Sequence, residues 1–118
     1  KLFKIRPNPN TAYSLAELKI GLDDLMGATK NITFGIANSN NDFVRTYFDP
    51  QSGRNYQVPL RAAFLYLKGL LKFKQDKDNI DSAIEILDEA LVIAPNFVEV
   101  IMTKNALNTQ KQQASEEN

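Results

Sequence analysis

The segment that most limits what this chain can fold into is 59–75. Val58-Pro59 opens it, and a proline in the first helical turn loses nothing, because its N–H would be orphaned there anyway. From Leu60 to Phe73 the positions are apolar nearly all round: Leu60, Ala62, Ala63, Phe64, Leu65, Tyr66, Leu67, Leu70, Leu71 and Phe73. Arg61, Lys68, Lys72 and Gln75 interrupt them, and their spacings of seven, four and three place them on one narrow helical stripe. A helix with so little polar face must be covered on several sides. The rest of the chain therefore has to supply its neighbours. No stretch reaches the roughly 18 apolar residues of a membrane-spanning helix, and Lys68 breaks the longest run, Ala62 to Leu71.

Downstream, the neighbours read as helices. Asp76-Lys77-Asp78-Asn79 is a polar turn, and a second helix is expected from Ile80 to Ala94. Ile80, Ala83, Ile84, Leu87, Ala90, Leu91 and Ala94 form its main stripe, with Ile86 and Ile93 beside it. Pro95 ends it, because the residue before a proline avoids helix geometry. Asn96 then caps a third helix carrying Phe97, Val100, Ile101, Lys104 and Leu107 on one face. From Asn108 onward only Ala114 is apolar, so the tail 108–118 cannot bury enough surface to offset its ordering entropy and is expected to fray.

Upstream the signals are weaker. Residues 1–13 read as an extended arm, because Pro7 and Pro9 oppose a regular helix and Asn8 and Asn10 favour turns. Leu2, Phe3 and Ile5 are apolar enough to dock, and Lys1, Lys4 and Arg6 keep the arm soluble. Because the first residue is Lys1, we expect that an upstream segment, a signal or an anchor, was removed. Ser14-Leu15-Ala16-Glu17 has the form of a capping box, opening a helix to Gly27 with Leu15, Leu18, Leu22 and Leu25 on its buried face. Segment 28–48 is ambiguous. Ile32, Phe34 and Ile36 alternate like a strand, whereas Met26, Thr29, Ile32 and Ile36 continue a helical stripe. Asp42 can cap a short helix through Phe48, the reading favoured by the helical remainder of the chain. Its rival is a hairpin: Val44 to Phe48, a turn at Asp49-Pro50-Gln51-Ser52-Gly53, then Asn55 to Val58. The expectation is one all-α domain of antiparallel helix pairs with an irregular N-terminal half, hairpin-containing in the rival reading.

Composition narrows the chemistry. The chain has no cysteine and no histidine, which excludes disulfides, thiolate ligation and Ser–His catalysis. Asp23 and Asp24 are adjacent and diverge on a helix, and the five glycines form no phosphate loop. Asp76-x-Asp78-x-x-Asp81 lacks the glycine and closing glutamate of a calcium loop. Asp81, Glu85, Asp88 and Glu89 read as a solvated face, and Asn31-Ile32-Thr33 as a chance sequon. We expect no enzyme, no metal and no cofactor. Fourteen basic residues balance fourteen acidic ones, so net charge points to neither nucleic acid nor an anionic membrane. Their distribution is uneven. Residues 1–75 carry eleven Lys and Arg against five Asp and Glu, whereas 76–118 carry three against nine. A polar molecule of this kind can steer a charged partner or associate with itself.

The helices of 59–107 resemble a tetratricopeptide repeat, a helix–turn–helix of 34 residues ending in a proline. Leu67, Leu70 and Leu71 fit the large positions of its first helix. Ala83, Leu87, Ala90 and Pro95 fit the second without a gap, and Ile101 falls 34 residues after Leu67. Leu67, Leu71 and Lys74 stand where the family usually has tryptophan, glycine and tyrosine, and Asp49 and Arg61 show no upstream repeat. The resemblance covers Phe64 to Leu107, one repeat plus a capping helix; the alternative is a generic helical bundle. It implies a groove that receives peptides, lined by Leu65, Lys68, Lys72 and Gln75 and, on the following helix, by Glu99, Met102 and Ala106. Lys68 and Lys72 are one turn apart and could meet acidic side chains or a terminal carboxylate. The implied function is that of a non-catalytic scaffold or adaptor binding a protein or peptide, acidic in character. Because about three repeats are usually needed for a stable solenoid, the alternative is a self-associating assembly subunit. A third reading is a small-molecule cavity lined by Tyr13, Tyr47, Tyr56, Tyr66 and Arg45.

Overall fold

The computed structural model describes residues 9–39 and 43–116. Five helices and one hairpin follow in the order α1 (Pro9–Gly21), α2 (Leu25–Asn38), β1 (Val44–Asp49), β2 (Arg54–Pro59), α3 (Leu60–Gln75), α4 (Ile80–Ile93) and α5 (Val98–Glu116). The chain is thus mostly helical but not purely so. The apolar helix α3 sits at the centre, packed against α1, α2 and α4, while α5 packs on α4. Ala62, Ala63, Phe64 and Leu67 of α3 are at most 1% exposed, as expected of a helix covered on several sides.

The pair α3–α4 forms as the apolar periodicity predicts. Ala83, Leu87 and Ala90 are fully buried, and Gly69 lets the two helices approach. A methyl group at Gly69 would stand 2.7 Å from the Leu87 side chain and 3.5 Å from the Ala83 carbonyl. That contact sets an antiparallel register in which Gly69 lies level with the turn between Ala83 and Leu87. Asn79 caps α4, its side-chain oxygen accepting from the Ser82 N–H.

The last helix runs further than expected. It continues through Glu116, although Asn108 to Gln113 are all exposed. Two ion pairs index it against α4: Lys104 on Asp88 at 2.6 Å, and Lys111 on Asp81. Both cations lie seven residues apart, as do both carboxylates, and this spacing repeats on one face of each antiparallel helix. The ladder extends the packed contact beyond Leu107, the last residue of α5 described as buried. A composition rule for disorder has no means of seeing such a partner.

The N-terminal half corrects three expectations. First, residues 9–13 are helical and not extended: Pro9 is the first residue of α1, a position where its missing N–H is harmless. The remainder of the expected arm, 1–8, lies outside the described residues. Second, Ser14 is inside α1 and caps nothing, and the helix expected to end at Gly27 is two helices. Asp23 adopts φ 61°, Asp24 caps α2 by accepting from the Gly27 N–H, and Lys74 donates to the Ile20 carbonyl at the end of α1. Third, α1 buries Ala12, Tyr13, Ala16 and Ile20 instead of its leucines, leaving Leu18 58% exposed and, in the turn just after the helix, Leu22 70% exposed. Small alanines let α1 close onto its neighbours, and the Tyr13 hydroxyl finds a partner there, so the core face lies on the other side of the helix.

The ambiguous segment divides. The helical stripe Ile32–Ile36 belongs to α2, and 44–59 is the hairpin, within a residue of the rival reading. The short helix expected through Phe48 does not form, and its capping Asp42 lies outside the described residues. Val44 pairs with Pro59 and Tyr47 with Tyr56 in an antiparallel register. Gly53 at φ 71° closes the turn, donating to the Asp49 carbonyl, while the Asp49 side chain accepts from the Gln51 N–H. β-Branched and aromatic residues flanking Pro-Gln-Ser-Gly favour this over one turn of helix.

Candidate functional site

Two clusters merit comparison. The tyrosines of the N-terminal half and the core do converge, but on one another. The Tyr13 and Tyr47 hydroxyls lie 2.6 Å apart, and the Arg45 guanidinium carbon stands 3.8 Å over the Tyr13 ring. Tyr47 stacks on Tyr56 and tilts against Phe97, which also meets Tyr66. Burial pushes the Tyr13 phenol up to about 12 and raises Tyr47 still further, with the Tyr13 neighbour adding to the rise. Tyr56 and Tyr66 are raised by burial too. These rings fill their space by packing, and the cluster seats the hairpin on the helices.

The other cluster is open. Because α2 and α4 both lie antiparallel to α3 and flank it, the polar stripe of α3 forms the floor of a trough. The wider part, about 440 Å³, has Lys68, Lys72 and Gln75 on its floor, Ile32 and Ile36 of α2 on one wall and Ile86 of α4 opposite. It continues into a second depression of about 410 Å³ that shares Arg61, Lys68 and Ile36 and adds Leu65, Glu89 and Val92. From Arg61 to Gln75 the floor runs about 21 Å at 1.5 Å per residue. The chemistry is a line of cations between largely apolar walls, with Thr29, Thr33 and Glu89 as their polar members. Among the described residues, no carboxylate stands within ion-pair distance of Arg61, Lys68 or Lys72.

The expected groove residues separate. Leu65, Lys68, Lys72 and Gln75 share the trough. Glu99 and Met102 do not join it. The Glu99 N–H donates to the Tyr56 hydroxyl at 3.4 Å beside the hairpin, and Met102 is 51% exposed on α5. Phe97 anchors the start of α5 against Tyr66, which sits about 200° around α3 from Lys68. The second wall comes instead from α2. Ile32 and Ile36 were within reach of the helical stripe in the sequence, but that stripe alone does not say which neighbour it faces.

Among the described residues no helix is long and apolar enough to cross a membrane, and no three carboxylates gather in a group able to hold a metal ion. No family model, curated protein or solved structure matches this chain.

Proposed function

We propose that this chain is a non-catalytic helical binding module that seats an acidic segment of a protein or peptide in the trough between α2 and α4. The observation that carries it is the line Arg61, Lys68 and Lys72, exposed or half-buried, with no carboxylate at ion-pair distance among the described residues and bordered by largely apolar walls. Cations on such a floor select carboxylates, and isoleucines on both walls select apolar flanks, the helix-in-groove mode of recognition. We further propose that α3 and α4 are a tetratricopeptide-like pair. The burial of Ala83 and Ala90 and the close approach at Gly69 support this reading.

The test is selection from a displayed peptide library on the immobilised chain and on Lys68→Glu/Lys72→Glu. Enrichment of acidic, apolar-flanked sequences on the first and its loss on the second supports the proposal. Equal enrichment on both would remove the trough from consideration.

A further inference from the structure

Beside the basic trough runs an acidic ridge, and their placement suits a second copy of this chain. On α4, Asp81, Glu85 and Glu89 are exposed at intervals of four, followed by Val92 at 82% exposure, the most exposed large apolar residue described. Among the described residues neither Glu85 nor Glu89 has an ion-pair partner. Trough and ridge are adjacent and antiparallel. The Gly69 contact makes Lys68 level with Glu85, and Lys72 level with Asp81, each to about one residue, or about 1.5 Å.

The geometry points to a two-fold dimer in which α4 of each copy lies in the trough of the other. This inference rests on reading the trough as a seat for an acidic segment, and it names that segment. If the two-fold axis runs along the α3–α4 seam, in the plane of contact, each residue of α3 meets the α4 residue at its own height on the partner copy. Lys68 then faces Glu85, while Asp81, level with Lys72, is turned towards α5 by its pair with Lys111. Arg61, the longest side chain, reaches Glu89 one turn away. Val92 passes over Leu65 and Ile36 at the narrow end of the trough. Symmetry doubles every contact, so one face serves as both donor and acceptor. Exposed ion pairs are weak singly. A doubled row of them between largely apolar walls gives a dimer whose strength depends on salt.

The experiment is sedimentation equilibrium on four samples: the unaltered chain, Lys68→Glu/Lys72→Glu, Glu85→Lys/Glu89→Lys, and an equimolar mixture of the two variants. Circular dichroism first verifies that both fold. Lys68→Gln/Lys72→Gln and Glu85→Gln/Glu89→Gln are the second pair if a reversed variant does not. The unaltered chain should dimerise at roughly 10 mM salt, where charges act over about 30 Å, and dissociate near 1 M, where they act over about 3 Å. Either reversed variant should weaken the dimer roughly tenfold or more, since like charges then oppose. The mixture should recover it in part as a heterodimer, because the unaltered ridge of one copy meets the unaltered trough of the other and the reversed charges at 68 and 85 attract again, while Arg61 of the first copy opposes the reversed position 89. A chain that stays monomeric at low salt, variants that dimerise unchanged, or a mixture that stays monomeric each overturn the inference. If the dimer fails while peptide selection still depends on Lys68 and Lys72, the trough remains a seat for another protein's acidic segment. If both fail, the reading of the trough falls as well.

Discussion

The width of the trough rests on one close contact, which makes Gly35→Ala the most informative single substitution. Gly35 lies in α2 directly against the Phe64 ring of α3. A methyl group there would meet three ring carbons at 2.0, 2.2 and 2.3 Å. Ordinary carbon contacts begin at about 3.5 Å, so the ring would have to retreat by roughly 1.5 Å. It has nowhere to go: Phe64 is fully buried and its ring edge abuts Tyr13 at a centroid distance of 5.7 Å. Overpacking of a tight core costs about 1–3 kcal/mol, and displacement on this scale belongs at the upper end. Alanine recovers up to about 1 kcal/mol of helix propensity. The net expectation is a loss of about 2 kcal/mol, read as a lower midpoint in guanidinium denaturation. Gly21→Ala is the control, because nothing lies within 4 Å of its added methyl; it should be neutral or stabilising. Phe64→Leu shortens the obstructing side chain, so the two changes should be coupled and Gly35→Ala should cost less in that background. If Gly35→Ala is as stable as the unaltered chain, or if the two costs simply add, the contact does not hold α2 against α3 and the trough has no fixed width.

Three further outcomes follow from the packing. Tyr13 and Tyr47 are raised above their ordinary value near 10 by burial, so above pH 10 the folded state holds more protons than the unfolded chain; stability should be level below pH 10 and fall as pH rises from 10 towards 12, with Tyr47→Phe lessening the slope in denaturation series across that range. Lys111→Ala should cost less than about 1 kcal/mol overall, because the pair with Asp81 is exposed, yet amide exchange should accelerate in α5 beyond Leu107, where that pair indexes the helix. Leu18→Gln should change thermal stability by no more than about 0.5 kcal/mol, whereas Leu87→Ala should cost about 2–5 kcal/mol; a large loss at Leu18 would mean that α1 presents its leucine face to the core.

Much of the C-terminal half could be read from residue order. The near-continuous apolar surface of α3, the Ala83–Leu87–Ala90 spacing of α4 and the Pro95 stop are local signals, and they agree with the structure because each helix meets its sequence neighbour across a short turn. So could the stripe of Arg61, Lys68, Lys72 and Gln75, since helical periodicity alone places those side chains together. At the N-terminal end, local signals competed. Leu15, Leu18 and Leu22 make as regular a stripe as Ala12, Ala16 and Ile20, and nothing in the order of residues ranks leucines below alanines for burial. Close approach ranks them, and it depends on the shape of α2 and α3. Likewise, Phe43–Phe48 fits a helix or a strand until Tyr47 has Tyr13, Tyr56 and Phe97 to pack on.

Periodicity within single elements thus settled where most helices run and which side chains share a face. The tertiary structure alone decided which faces meet, because burial is a property of pairs of surfaces and a helix carries no record of its neighbour. That is why four of the expected groove residues come together while Glu99 and Met102 lie elsewhere: the stripe on α3 is local, but the wall opposite it is supplied by whichever helix packs there, and that helix is α2.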